Sequence, residues 1–233
     1  MATFEAQVEA LLGFATTDIG SSGTIPTQDQ LSQFLKDGVI DVTNKMIKKS
    51  PNEITKFLKK SSEQTANDTL DINGAKVATV LREAGVSNDW RECKFIPPSH
   101  QKRVQDVDSI FYASKFNPVF TILENGVINV YPAPDSGGVD GFIVYYVNNV
   151  PHDKGGAALI YSHSDIKYFP DDKVHLVVIY AAIKVLQAKL ADLTLVEEDP
   201  ELAQALTQSL ALHMQQYASE FQSEQEAQPT GGR

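Results

Sequence analysis

At 233 residues, with 42% hydrophobic and 21% charged side chains, the chain suits one large folded domain or two small ones and does not have the composition of a disordered polymer. Its formal net charge of -10 argues against a general nucleic-acid binder, which needs clustered lysine and arginine, and against binding an anionic membrane surface. One cysteine, Cys93, excludes an intrachain disulfide and suits a reducing compartment.

The N-terminal twenty residues carry Glu5, Glu9 and Asp18 and no basic stretch, so they do not read as a signal peptide. Phe4, Val8, Leu11 and Leu12 recur at helical spacing and predict a short first helix. Gly20 to Gly23 predicts a flexible break. Thr27 is placed to cap a second helix whose buried side is Leu31, Phe34, Leu35, Val39, Val42 and Met46. Gly38 interrupts that run and should weaken it by about 1 kcal/mol relative to alanine. Ser50-Pro51-Asn52-Glu53 has the form of a capping box with proline at the first helical position, which predicts a third helix to about Lys60. The polar stretch Ser61 to Asp68 reads as a linker.

The pattern then turns to strands. Leu70 to Ile72 and Val77 to Leu81 flank Asn73-Gly74, which predicts a hairpin with a tight turn. Trp90 to Ile96 reads as a further strand. Glu124-Asn125-Gly126 marks a second turn, between Val119–Leu123 and Val127–Tyr131. Phe142 to Val147 is apolar on both faces, as in a central strand. Ala157 to Tyr161 reads as a short turn or helix.

Phe169 to Phe221 reads as a nearly all-apolar helix, an acidic break and an amphipathic helix. The first is interrupted only by a stripe of Lys173, Tyr180, Lys184 and Gln187. Its longest apolar run, Val174 to Ile183, falls short of the roughly 20 residues of a membrane span. In the second, after Asp199-Pro200-Glu201, one side carries Leu202, Leu206, Leu210, Tyr217 and Phe221. Ser223 to Arg233 reads as a polar, mobile tail.

The fold class expected from this order is α+β. A discontinuous α-helical bundle is drawn from both chain ends (1–67 and 156–222), with an inserted antiparallel β module (68–155) and a flexible C-terminal tail (223–233). Charge is uneven. Lys45, Lys48, Lys49, Lys56, Lys59 and Lys60 make the early helices basic, while Glu197, Glu198, Asp199, Glu201, Glu220, Glu224 and Glu226 make the C-terminal region acidic. These blocks read either as two solvated faces or as a subunit whose basic side meets the acidic side of its neighbour.

Candidate chemistry is sparse. Ser162-His163-Ser164-Asp165 holds triad residue types, but triad members converge from separate parts of a fold, and adjacent positions suit a turn instead. His100, His152, His163, His175 and His213 show no metal-ligand spacing, and Cys93 has no cysteine partner. His175 and His213 read as packed or capping groups. Gly137-Gly138 and Gly155-Gly156 lack the lysine and hydroxyl residue of a phosphate loop. No catalytic, cofactor-binding or metal residue is assigned.

Tyr168-Phe169-Pro170-Asp171-Asp172-Lys173-Val174 runs into Leu176-Val177-Val178-Ile179-Tyr180-Ala181-Ala182. Near the other end, Phe4-Glu5-Ala6-Gln7-Val8 precedes Leu31-Ser32-Gln33-Phe34-Leu35-Lys36-Asp37-Gly38. Both resemble head-to-tail connector adaptors (neck or head-completion proteins) of tailed bacteriophages. The resemblance implies a helical bundle with a β insertion that forms a ring, commonly of 12 copies, beneath the portal protein at the capsid vertex. It implies a tail or nozzle partner, a virion location in the neck after assembly in the host cytoplasm, no cofactor and no catalysis. DNA would pass through the channel without sequence-specific binding. The expected portal contact is the tail, with Ser223, Glu224, Glu226, Pro229 and Arg233. Expected inter-subunit residues are Lys48, Lys49, Lys56, Lys59, Lys60, Glu197, Glu198 and Glu201. The alternatives are another tail-side virion protein, such as a tail terminator or baseplate part, or an enzyme with a dispersed active site.

Overall fold

The computed structural model describes residues 2–13, 26–135, 139–196 and 200–222, with backbone alone at 194–196. The chain is α+β and divides into two compact units, Met1–Lys56 with Val150–Arg233, and Phe57–Asn149. The first is helical and discontinuous; the second holds the sheets.

In the helical unit, α1 (Phe4–Leu12) starts at Thr3, whose side chain accepts from Ala6 N, and stops at Gly13 in the left-handed conformation. Helix α2 (Gln28–Lys49) starts with a complete capping box between Thr27 and Gln30. Its buried side includes Leu31, Leu35, Val39, Val42 and Met46, whereas Phe34 is only half-buried. A 3-10 turn, Asp171–Lys173, leads into α4 (Val174–Val196), and α5 (Pro200–Gln222) follows. Helix α4 is the centre, packed against α1, α2 and α5. Its Leu176, Val177, Ala181, Ala182, Val185 and Leu186 are almost wholly buried. The two chain ends are also stitched by backbone, since Phe4 N donates to His163 O (2.7 Å) and Glu5 N to Tyr161 O (3.0 Å). Ser32 Oγ accepts from Tyr161 N at 3.1 Å.

Two expectations for these helices need correction. By length and composition, Asp171–Leu193 is long and apolar enough to cross a membrane, although half of its most apolar window is buried within the protein. Counting only the uninterrupted run missed this, because a helix tolerates a polar stripe without losing its mean hydropathy. On α5, Leu206, His213 and Tyr217 are buried while Leu202 is exposed, and His175 on α4 is exposed rather than packed. The expected break at Gly20 to Gly23 lies outside the described residues.

The second unit begins earlier than the sequence suggests. Pro51–Phe57 is a 3-10 turn, and Leu58–Lys60 is a strand, β1, rather than the end of a third helix. Local helix signals yield there to pairing with Tyr145–Val147. The supposed linker continues the edge, with Ser61 N donating to Val144 O (2.9 Å) and Gln64 N to Phe142 O (2.8 Å). The other strands are β2 (Val77–Glu83), β3 (Trp90–Glu92), β4 (Lys94–Phe95), β5 (Val119–Leu123), β6 (Val127–Tyr131) and β7 (Phe142–Val147). A short helix, α3 (Gln101–Gln105), lies between β4 and β5. One sheet has the order β1-β7-β2-β3 and the other β4-β5-β6. As expected, β7 is central and buried on both faces, and β5–β6 is a hairpin turning at Glu124 and Asn125, both at positive φ.

Other strand expectations change. Asn73 and Gly74 do form a positive-φ turn, closed by Ala75 N to Ile72 O at 3.0 Å, but its arms diverge. Ile72 N donates to Gly126 O beside β6, while β2 pairs with β3 and β7. The expected strand Trp90 to Ile96 splits at Cys93 into two strands in different sheets, and β4 pairs with β5 in parallel. Of the two alternatives for Ala157 to Tyr161, the helix does not form; the segment bends and makes an isolated bridge from Ala158 to His152. Val80, Phe120, Ile128, Val130, Phe142 and Val144 form one core between the sheets.

Buried Arg82 ties the loop after β6 to this unit. Its Nε donates to Pro132 O (2.8 Å), its Nη1 to Glu83 O (2.6 Å), and its Nη2 lies 3.4 Å from Asp140 Oδ2. Burial pulls its pKa below the usual arginine value, and Asp140 opposes that pull.

Candidate functional site

The polar stripe of α4 has a structural meaning. Tyr180, Lys184 and Gln187 line one wall of a groove of about 700 Å³ within the helical unit. Lys45, Lys48 and Lys49, on the last turns of α2, form a second wall. Met214, Tyr217, Ala218, Phe221 and Gln222 of α5 form the third. The groove thus has a basic rim and an apolar, aromatic floor on a chain whose net charge is -10.

Its floor is built around Tyr217. The hydroxyl donates to Asp41 Oδ2 at 2.6 Å, and Lys45 Nζ sits 2.7 Å from the same oxygen. That ammonium lies 4.5 Å above the Tyr217 ring and 5.4 Å from the Phe221 ring. Tyr217 packs edge-on against Phe221, one helical turn later, with centroids 5.1 Å apart, and lies 6.0 Å from Tyr180. Burial first, then the Asp41 carboxylate, push the Tyr217 pKa well above its usual value of 10. Tyr180 shifts the same way for the same order of causes, with Asp41 and then Asp37 as the charges. Both phenols are therefore neutral donors at neutral pH. Lys184 completes the rim, 5.6 Å over the Tyr180 ring and bonded to Gln187 Oε1 at 3.2 Å.

The expected inter-subunit residues do not form one patch. Lys48 and Lys49 face the groove. Lys56 pairs with Glu53 at 2.8 Å in the 3-10 turn. Lys59 and Lys60 lie on β1, an edge strand of the other unit, where lysines discourage further strand pairing. Glu201 lies in the first turn of α5. Glu197 and Glu198, like the tail residues Ser223, Glu224, Glu226, Pro229 and Arg233, lie outside the described residues. Sequence reasoning missed the contribution of Met214, Tyr217 and Phe221. In the sequence Tyr217 and Phe221 read as one side of the last helix, and nothing singles out Met214, three residues before Tyr217.

The reactive residue types do not assemble into a catalytic constellation among the described residues. His163 Nε2 lies 3.8 Å from Asp153, while Asp165 accepts from Lys154 N at 2.8 Å, so this segment organises its own loop. His213 is buried, and its Nδ1 has no partner among the described residues. In the sheet unit a second hollow, of about 740 Å³, is walled by β2, β4 and β5, with Glu92 bonded to Thr79 at 3.2 Å. Cys93 lines it, and burial pushes its thiol up to about 12, which keeps it protonated and poorly nucleophilic. Among the described residues no three His, Cys, Asp or Glu side chains converge as metal ligands.

No protein-family model and no curated protein matches this chain. The sheet unit offers one more surface, the segment 107–116, where Val107, Ile110, Phe111 and Phe116 are exposed, Ile110 almost completely at 93%. Such a run on a loop marks a contact surface more often than a catalytic one.

Proposed function

We propose that the chain is a structural subunit of a tailed-phage virion, forming an adaptor ring in the neck that joins the portal at the capsid vertex to the tail. The observation that carries this reading is the architecture. A helical unit is assembled from both chain ends around α4, and a sheet unit is inserted between them. That is the plan the connector resemblance implies. The basic, aromatic groove supports it from the side of chemistry, because a lysine rim over an apolar floor suits a docked protein segment. In this reading the tail, 223–233, meets the portal, the ring channel passes DNA, and neither cofactor nor catalysis is needed.

The test is imaging at side-chain detail of particles from the phage that encodes the chain. The expected result is a closed ring of this chain, near 12 copies, between portal and tail, with the tail segments on the portal. Density for the chain at a tail terminator or baseplate would overturn the neck assignment. Absence of the chain from intact particles would overturn the virion reading altogether.

A further inference from the structure

The groove suits an occupant with two properties at once: carboxylates for its lysine rim and apolar groups for its floor. The chain itself offers two acidic candidates. The tail, 223–233, carries Glu224 and Glu226 but almost no apolar side chain, Ala227 and Pro229 being its only such residues. The stretch that closes α4, joins the helices and opens α5 reads Asp192-Leu193-Thr194-Leu195-Val196-Glu197-Glu198-Asp199-Pro200-Glu201-Leu202. It supplies five carboxylates interleaved with three leucines and a valine. Leu202 on α5 is 43% exposed, whereas Leu206, one turn later, is buried.

Helix geometry decides which copy supplies it. The groove ends at Gln187 on α4 and begins at Met214 on α5. Helix α4 ends at Val196 and α5 begins at Pro200, both within the acidic stretch. At 1.5 Å per residue Val196 lies roughly 13 Å beyond Gln187 along α4, and Pro200 roughly 20 Å before Met214 along α5. Because α4 and α5 pack along each other, Val196 and Pro200 stay at that distance from the groove of their own copy.

We infer that the groove of one copy receives the acidic, leucine-bearing α4–α5 segment of the next copy. Leu202 and its apolar neighbours then meet Met214, Tyr217 and Phe221, and the carboxylates meet Lys48 and Lys184. Groove and segment are different patches on one subunit, so the contact is heterologous and repeats head to tail, closing into a ring when the rotation allows. This rests on the ring reading above and assigns its contact. Apolar contact holds the pair together, while charge selects the partner and sets the encounter rate.

Charge exchange between two full-length variants tests it. One carries Lys48→Glu and Lys184→Glu; the other carries Glu197→Lys and Glu198→Lys. Sedimentation reads their mass, and circular dichroism and thermal melting check that each is folded. Wild-type chain is expected to self-associate at high protein concentration in low salt. Each variant alone is expected to associate at least tenfold more weakly, since it presents like charges on both patches. Mixed in equal amounts, they should recover association, because every groove then faces a complementary segment; a misfolded variant would not be rescued this way. A wild-type assembly that survives both pairs of substitutions, or a mixture that stays monomeric, would overturn the contact while leaving the ring reading intact. Loss of assembly on deleting 223–233, with the charge variants unaffected, would show that the tail is the occupant and overturn the proposal. A wild-type chain that stays monomeric both alone and with portal would overturn this contact and the ring reading together.

Discussion

Tyr217 shows how one side chain couples packing to electrostatics. Its ring is buried between Tyr180 and Phe221, yet its hydroxyl reaches Asp41 on α2. Tyr217→Phe keeps the ring and removes only that bond. A hydrogen bond to a charged group contributes about 1.5–3 kcal/mol, and Asp41 keeps Lys45, so the expected loss is about 1–2 kcal/mol in urea unfolding at pH 8. A pH dependence follows. The folded pKa of Tyr217 is raised above 10, so its contribution is intact below pH 10 and is lost as pH rises beyond it. Cys93 acts in the same direction over pH 9 to 12. Wild-type stability should therefore fall from pH 9 upward, and in Tyr217→Phe the fall above pH 10 should be shallower. Parallel urea curves for the two proteins at pH 8 and pH 11 provide the check. An unchanged gap between them would mean that Tyr217 titrates normally.

At the level of elements, Gly38 illustrates what helical propensity alone misreads. It looks like a weak point of α2, but a Cβ there would lie 3.0 Å from Tyr180 Cδ1 and 3.3 Å from Val177 Cγ1. The missing side chain lets α2 approach α4 where the groove begins. Gly38→Ala gains about 1 kcal/mol of helix propensity and costs about 1–3 kcal/mol in overpacking, because Val177 is buried and branched. The net expectation is a loss of about 1 kcal/mol in unfolding free energy, read as a lower denaturation midpoint, and a gain would mean that Tyr180 moves aside freely. The same contrast explains what the sequence made legible. The Thr27 cap and the Glu124-Asn125-Gly126 turn are local chemistry, and the structure places both where the residues predict. Strand β1 was read as helix because its partner, Tyr145–Val147, is far away along the chain. The groove divides likewise. Its α4 stripe and α2 lysines were visible singly, but their convergence with Met214, Tyr217 and Phe221 depends on how three helices pack.

For the whole molecule, the decisive fact is that an interrupted chain forms two compact units. The sheet unit closes its own ends: β1 pairs with β7 through Leu58 and Val147, and Asn148 N donates to Phe57 O at 3.4 Å. Its core draws on both sheets and on the buried Cys93 between β3 and β4. Residues 57–149 expressed alone are therefore expected to fold, with a single cooperative thermal transition and a protected Cys93 thiol that reacts with alkylating reagent only after denaturation. The helical unit cannot be cut out as one continuous piece, because α1 and α2 need α4 from beyond the insertion. Excision thus also separates the two surfaces. The groove and the α4–α5 segment are absent from 57–149, so head-to-tail assembly should be absent as well, and the fragment should sediment as a monomer where the full chain associates. Association of the fragment as strong as that of the full chain would move the assembly surface to the exposed 107–116 segment. An isolated fragment with a broad melt and a freely reactive Cys93 would show that the sheet core depends on the helices.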